Sequence, residues 1–171
     1  MQDQNNNFNP FNVKNARRPA QEAGDFAFIQ MNSTAEAVFT IANLMQFDGR
    51  IKNQGFSAAY GELTAVVGLN QYAVIGLPYT SVEGEIGMTN IAAITWANLN
   101  PATLALYAKE IRPLAPPEYN SGSDLVLLNL FSPFGFQEEI VEFLRTKHEI
   151  FAKDSKVLSL DLFEKIPHTL G

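Results

Sequence analysis

The sequence predicts an α+β fold with a β-rich central body, a few helices, an extended N-terminal arm and a C-terminal β-α-β unit. Three observations predict it: a polar, Asn-rich start, a charge-poor middle with short Val, Ile and Tyr runs, and a strand–helix–strand pattern near the end. The predicted segments are an extended or disordered arm (1–25), the body (26–112, with a helix at about 34–47), a Pro-rich linker or turn (113–123) and the C-terminal unit (124–171).

The N-terminal arm is too polar to form a core of its own. Five of its first 12 residues are Asn, and Phe8 and Phe11 are its only large apolar side chains. One interpretation is a frayed terminus. The other is an arm that becomes ordered on a neighbouring subunit, with the two Phe as anchors and the adjacent Arg17 and Arg18 facing acidic surface. These four residues are the predicted partner-binding residues.

A helix start is the clearest local signal in the body. Ser33 and Glu36 form the pattern of a capping box, in which the Ser side chain accepts from the amide three residues on and the Glu side chain reaches back. Apolar residues follow at helical spacing, and Gly49 stands where a C-terminal glycine is expected. The pattern predicts a helix from about Thr34 to Phe47.

The middle of the body reads as β-rich. The runs Leu63–Leu69 and Tyr72–Leu77 predict a hairpin, although a helix over Ser57–Val67 remains an alternative. A longer strand is predicted after them, because large side chains recur at alternate positions there. The residues that share this parity are Ile86, Met88, Ile94 and Trp96, together with the smaller Ala92.

The last third predicts a short helix, a turn and then a β-α-β unit. Asn100 followed by Pro101 is typical of a helix start. After the Pro-rich turn, the apolar run Asp124–Phe131 predicts a strand buried on both faces. An amphipathic helix over Gln137–Phe151 and a weak strand over Lys156–Leu162 complete the unit.

The most unusual property of the chain is its lack of charge between residues 53 and 108. This stretch holds no Lys or Arg and only three acids, Glu62, Glu83 and Glu85. Charged residues make up about a quarter of an average soluble domain. The stretch is therefore either mostly core or covered by another chain, and the second option favours an assembly protein.

Composition excludes several classes of site. The absence of Cys excludes a disulfide scaffold, a zinc ribbon, an iron–sulfur site and a cysteine nucleophile. Neither His148 nor His168 has a metal-ligand partner at helical spacing, so no metal or cofactor is expected. A net charge of −6 argues against direct nucleic-acid binding. No membrane span, signal peptide or small-molecule substrate is indicated.

These observations lead to a hypothesis of a non-catalytic structural subunit in a large homo-oligomeric assembly, most readily a phage virion component such as a capsid, neck or tail protein. Its partners would be copies of itself and other assembly subunits, in the virion or the host cytoplasm. This interpretation rests on the Asn-rich arm, the charge-poor body and the absence of a recognisable combination of catalytic residues. Two alternatives stay open: a non-catalytic adaptor for a different protein, and an enzyme of unrecognised family.

Overall fold

A computed structural model describes residues 26–48, 56–110, 114–146, 157–160 and 167–169. The elements in chain order are β1 (Ala27–Ile29), α1 (Thr34–Phe47), α2 (Phe56–Gly68), β2 (Tyr72–Thr80), β3 (Ile86–Leu99), α3 (Pro101–Glu110), a 3-10 helix (Pro116–Tyr119), β4 (Asp124–Phe131), α4 (Gln137–Thr146), β5 (Val157–Leu160) and β6 (Pro167–Thr169).

The strands form one sheet in the order of the sequence, β1 to β6. Pairing is antiparallel from β1 to β4. Strands β4 and β5 are parallel, with α4 between them in the chain, and β5 and β6 are antiparallel. The predicted α+β class and the C-terminal β-α-β unit are therefore confirmed. The predicted arm (1–25) lies outside the described residues.

The second half of strand β3 is buried on both faces of the sheet. Ala93 and Ala97 belong to a core formed with α1 and α2, whereas Ala92, Ile94 and Trp96 belong to a second core formed with α4. Residues 91–97 are all buried. A central strand covered on both sides excludes charged side chains, because burying an unpaired charge is costly. Much of the charge-poor stretch is thus explained by the core of this chain.

Helix α1 has the predicted bounds and the predicted cap. The Glu36 amide donates to Ser33 Oγ at 3.1 Å. The Glu36 carboxylate accepts from the Asn32 amide at 2.7 Å, one residue before the expected position. The first bond satisfies an amide of the first helical turn, which lacks an intrahelical partner, and the second fixes the residue before the cap.

Helix α2 replaces the predicted hairpin. Residues 63–68, expected as a strand, belong to a helix, and the alternative over Ser57–Val67 is confirmed. Leu63, Val66 and Val67 occur at helical spacing and are buried against α1 and the sheet. Their burial outweighs the preference of β-branched residues for strands, since such preferences are weak beside tertiary packing. Asn70, with φ of 55°, lies in the turn that separates the helix from β2.

The segment after α3 folds back onto the end of β3. Tyr119 is buried, and Asn120 forms a bridge with Asn98. The Asn100 side chain caps α3, accepting from the Thr103 amide at 2.8 Å, as its position before a proline predicts. No helix among the described residues is long and apolar enough to cross a membrane.

Candidate active site

A shallow cleft with a free volume of only about 20 Å³ lies between α2 and the β3–β4 pair. Five of its lining side chains are apolar, and the polar ones are Glu62 from α2, Thr95 from β3 and Asn129 from β4. A small number of polar groups in an apolar recess is the usual composition of a ligand site. The lining residues are Met45, Ala59, Glu62, Leu63, Val66, Thr95, Asn129 and Phe131.

A bulge in the sheet marks the position of the cleft. Thr95 pairs with Asn129, but Trp96 pairs with Leu127, so β4 contains one extra residue at this point. Bulges change the direction of side chains and are common beside active sites. Thr95 has the same parity as Ala93 and Ala97, so it faces the α1–α2 side of the sheet. The Thr95–Asn129 pair therefore lies opposite Glu62.

Asn129 joins the three elements through its amide group. Its Nδ2 donates to Glu62 Oε1 at 2.6 Å and to Thr95 Oγ1 at 3.1 Å. A carboxylate only accepts hydrogen bonds, so the amide nitrogen must face Glu62. A bond to a charged acceptor is about twice as strong as a neutral one. Asn129 thus holds the half-buried carboxylate in one orientation over the strands.

Two tyrosines are in electrostatic contact with the same carboxylate. Burial, followed by the nearby Glu62 charge, raises the pKa of Tyr107 to about 12. Burial is also the main cause that raises the pKa of Tyr119, with smaller effects from Glu62, Tyr107 and Glu118. Both phenols are therefore protonated at neutral pH and are not bases under those conditions.

The raised pKa of Tyr107 has a consequence for alkaline stability. In the folded chain the phenol keeps its proton up to about pH 12, whereas the unfolded chain releases it near pH 10.0. The raised pKa of Tyr107 therefore stabilises the folded chain by about 3 kcal/mol. This stabilisation is complete below pH 10 and is lost as the pH rises towards 12. In urea unfolding across this window, Tyr107→Phe should show a shallower loss of stability than wild type. An unchanged pH slope would contradict this assignment.

The residues predicted from sequence to bind a partner are not part of this site. Phe8, Phe11, Arg17 and Arg18 lie outside the described residues, so their role stays a prediction. Within the described part of the chain, no cluster of three or more His, Asp or Glu suggests a metal centre.

Sequence reasoning missed the three polar cleft residues. Two of the three left a signal in the sequence that could have identified them. Glu62 is one of three acids in a charge-poor stretch, and Asn129 is a polar residue inside the apolar run of β4. Thr95 offered none, because it looked like an ordinary small residue on one face of a strand.

The fold and the cleft define an α+β protein with a half-buried carboxylate beside a bulged strand pair. The HlyC family, the RTX toxin acyltransferase family, matches residues 29–165, well over half of the chain. The chain belongs to this family. The matched range includes every residue that lines the cleft. A comparison with curated proteins finds no match.

Family membership overturns the functional hypothesis drawn from the sequence. The interpretation as a non-catalytic structural subunit, and as a phage virion, capsid, neck or tail component, is wrong, because this is a family of acyltransferases and so indicates an enzyme. The expected partners, copies of itself in a homo-oligomeric assembly, are also wrong: enzymes of the family act on a protoxin with an acyl carrier protein. The alternative of an enzyme is the one supported.

The error has a physical origin. A lack of charge was taken as a covered outer surface, but much of it reflects a strand buried on both faces and the helix packed beside it. The few charges left in that stretch include the carboxylate of the cleft. The virion location has no support once the structural-subunit interpretation is removed.

Proposed function

We propose that this protein transfers an acyl group from the thioester of an acyl carrier protein to a nucleophilic side chain of an RTX-type protoxin, in the bacterial cytoplasm where enzymes of its family work. The family match carries the proposal, since it extends from β1 into the segment after β5 and includes the whole cleft. We place the reaction in the cleft between α2 and the β3–β4 bulge.

The composition of the cleft supports this placement. Its apolar side chains, among them Leu63, Val66 and Phe131, offer a surface suited to the hydrocarbon next to a thioester. Its polar side chains come from three different elements and are tied together by the Asn129 amide. Such fixed geometry favours acyl transfer, because holding the reacting groups in the right orientation lowers the activation free energy.

The test is a transfer assay with purified components. The protein is incubated with an acyl carrier protein loaded with palmitoyl or a shorter chain, and with an unacylated RTX toxin as acceptor. Transfer should raise the mass of the acceptor by one acyl group in place of one hydrogen, and should release the carrier thiol in equal amount. Carrier without an acyl chain is the blank. Absence of transfer with every chain length would refute the proposed activity.

A variant that fills the cleft tests its location. Ala59→Phe places a bulky ring against the cleft, and we expect it to lower transfer at least about 10-fold by excluding the acyl group. Ala105→Phe, at an exposed position on α3 outside the cleft lining, is the matched control and should keep wild-type activity. Thermal unfolding shows whether each variant is folded. Full activity in a folded Ala59→Phe variant would place the reaction elsewhere.

A further inference from the structure

We propose that Glu62 is the catalytic base of this site and that Asn129 is the residue that positions it. The inference rests on the proposed acyl transfer and names the group that removes a proton from the attacking nucleophile.

The choice of base follows from what the cleft contains. Among the eight residues that line it, Glu62 is the one that carries a carboxyl group. Thr95 and Asn129 are neutral, and the remaining five are apolar. A nucleophile that enters this cleft therefore meets a single charged acceptor among the lining side chains.

The hydrogen bond from Asn129 prepares this carboxylate for proton transfer. At 2.6 Å it fixes the orientation of the Glu62 carboxylate, and Thr95 Oγ1 fixes the amide in turn at 3.1 Å. The bond fixes which of the two carboxylate oxygens faces the strands, because an amide N–H donates to one acceptor oxygen. A positioned base is worth more than a mobile one, because proton transfer requires hydrogen-bond distance and alignment.

Two tyrosines are the described titratable groups whose pKa values respond to the Glu62 charge. Facing it are Tyr107 from α3 and Tyr119 from the 3-10 helix, both protonated until strongly alkaline pH. The lining residues contributed by α1, β3 and β4 carry no titratable group. Among the residues that line the cleft, Glu62 is therefore the one whose substitution should change the acid side of the pH–rate profile.

The proposed step balances as follows. The nucleophile of the acceptor gives its proton to the Glu62 carboxylate as its lone pair forms a bond to the thioester carbonyl carbon. The tetrahedral intermediate then collapses, the carbon–sulfur bond breaks, and the electron pair leaves on sulfur. The Glu62 carboxyl passes its proton to this thiolate. The products are the acylated acceptor and the carrier thiol, and Glu62 is again a carboxylate.

Substitution by Gln separates a base from a structural contact. Glu62→Gln keeps the side-chain length and an oxygen that accepts from Asn129, but it removes the base. We expect kcat to fall about 100-fold or more, KM for the acyl carrier protein to change little, and the acid limb of the pH–rate profile to disappear. Glu62→Asp should be slow but keep the limb. Glu83→Gln, at an exposed acid of the β2–β3 turn, is the control and should behave as wild type.

The role of Asn129 in positioning Glu62 is tested in the same assay. Asn129→Ala should lower kcat about 10-fold while the acid limb remains, because the base is present but less well oriented. Asn129→Ala with the wild-type kcat would refute the positioning role.

The other outcomes are equally decisive. A folded Glu62→Gln variant with wild-type kcat, or with reduced kcat and an unchanged acid limb, would overturn the role as base and leave the proposed activity standing. If the wild-type protein transfers no acyl group, the proposed activity fails and the assignment of Glu62 fails with it.

Discussion

Replacing Phe143 by Ala should lower the free energy of unfolding by about 3–5 kcal/mol, the range measured for large aromatic deletions in cores. Phe143 is on α4, is 1% exposed and belongs to the second core. Its ring lies 5.8 Å from that of Phe26 in an edge arrangement and 4.9 Å from that of Phe28. It thus links the C-terminal helix to the N-terminal edge of the sheet, and its loss leaves a cavity that rigid neighbours fill poorly.

Urea unfolding followed by fluorescence and circular dichroism measures this effect. Phe39→Ala is the matched control, because Phe39 is on α1 but is 70% exposed, and its removal should change stability by less than about 0.5 kcal/mol. Similar stabilities for the two variants would contradict the packing of α4. The same curves test the predicted division at residues 113–123: one shared transition would indicate one cooperative unit, and two transitions would indicate a separate C-terminal unit.

Replacing Gly122 by Ala should cost about 2–3 kcal/mol, through overpacking against backbone. A Cβ at this position would lie 2.5 Å from both the Asn100 Cα and the Leu99 carbonyl carbon, and closer still to the Asn100 amide nitrogen. No rotamer change relieves a contact with main-chain atoms. The Gly122 amide also donates to the Asn98 carbonyl at 3.0 Å, so the strain falls where the chain returns to the end of β3.

The matched control is the same substitution in open space. Gly61 lies at an exposed position in α2, and a Cβ there would meet no atom within 4 Å. Because Ala favours helix over Gly, Gly61→Ala should stabilise the protein by up to about 1 kcal/mol. Thermal and urea unfolding of the two variants should therefore give changes of opposite sign. Equal stability of Gly122→Ala and wild type would show that the segment after α3 is not packed as described.

The active site illustrates why function was harder to predict than fold. The Asn129 amide binds Glu62 and Thr95, which lie 67 and 34 positions before it in the sequence. None of the three has the spacing of a known motif, since their proximity arises from the packing of α2 onto the bulge between β3 and β4. A search for His, Cys or helical ligand pairs finds nothing in such a chain, and that absence was wrongly taken to favour a structural protein.

The sequence by itself determined the features that depend on near neighbours. The cap at Ser33, the cap at Asn100 and the apolar run of β4 are all written within a few residues, and each is confirmed. The alternation predicted along β3 is found only over Ala92, Ile94 and Trp96, because Ile86 and Met88 are exposed. These local features were sufficient for the α+β class and the β-α-β unit, because both follow from the order and type of local elements.

The tertiary structure alone decided what depends on distant contacts. It settled that residues 63–68 are helical, because the partner surface that buries Leu63, Val66 and Val67 comes from α1 and the sheet. It settled that residues 91–97 of β3 are charge-poor because both faces of the strand are covered there by the same chain. It also placed a lone carboxylate against an amide and a hydroxyl from two strands, since only folding brings such residues within hydrogen-bond distance.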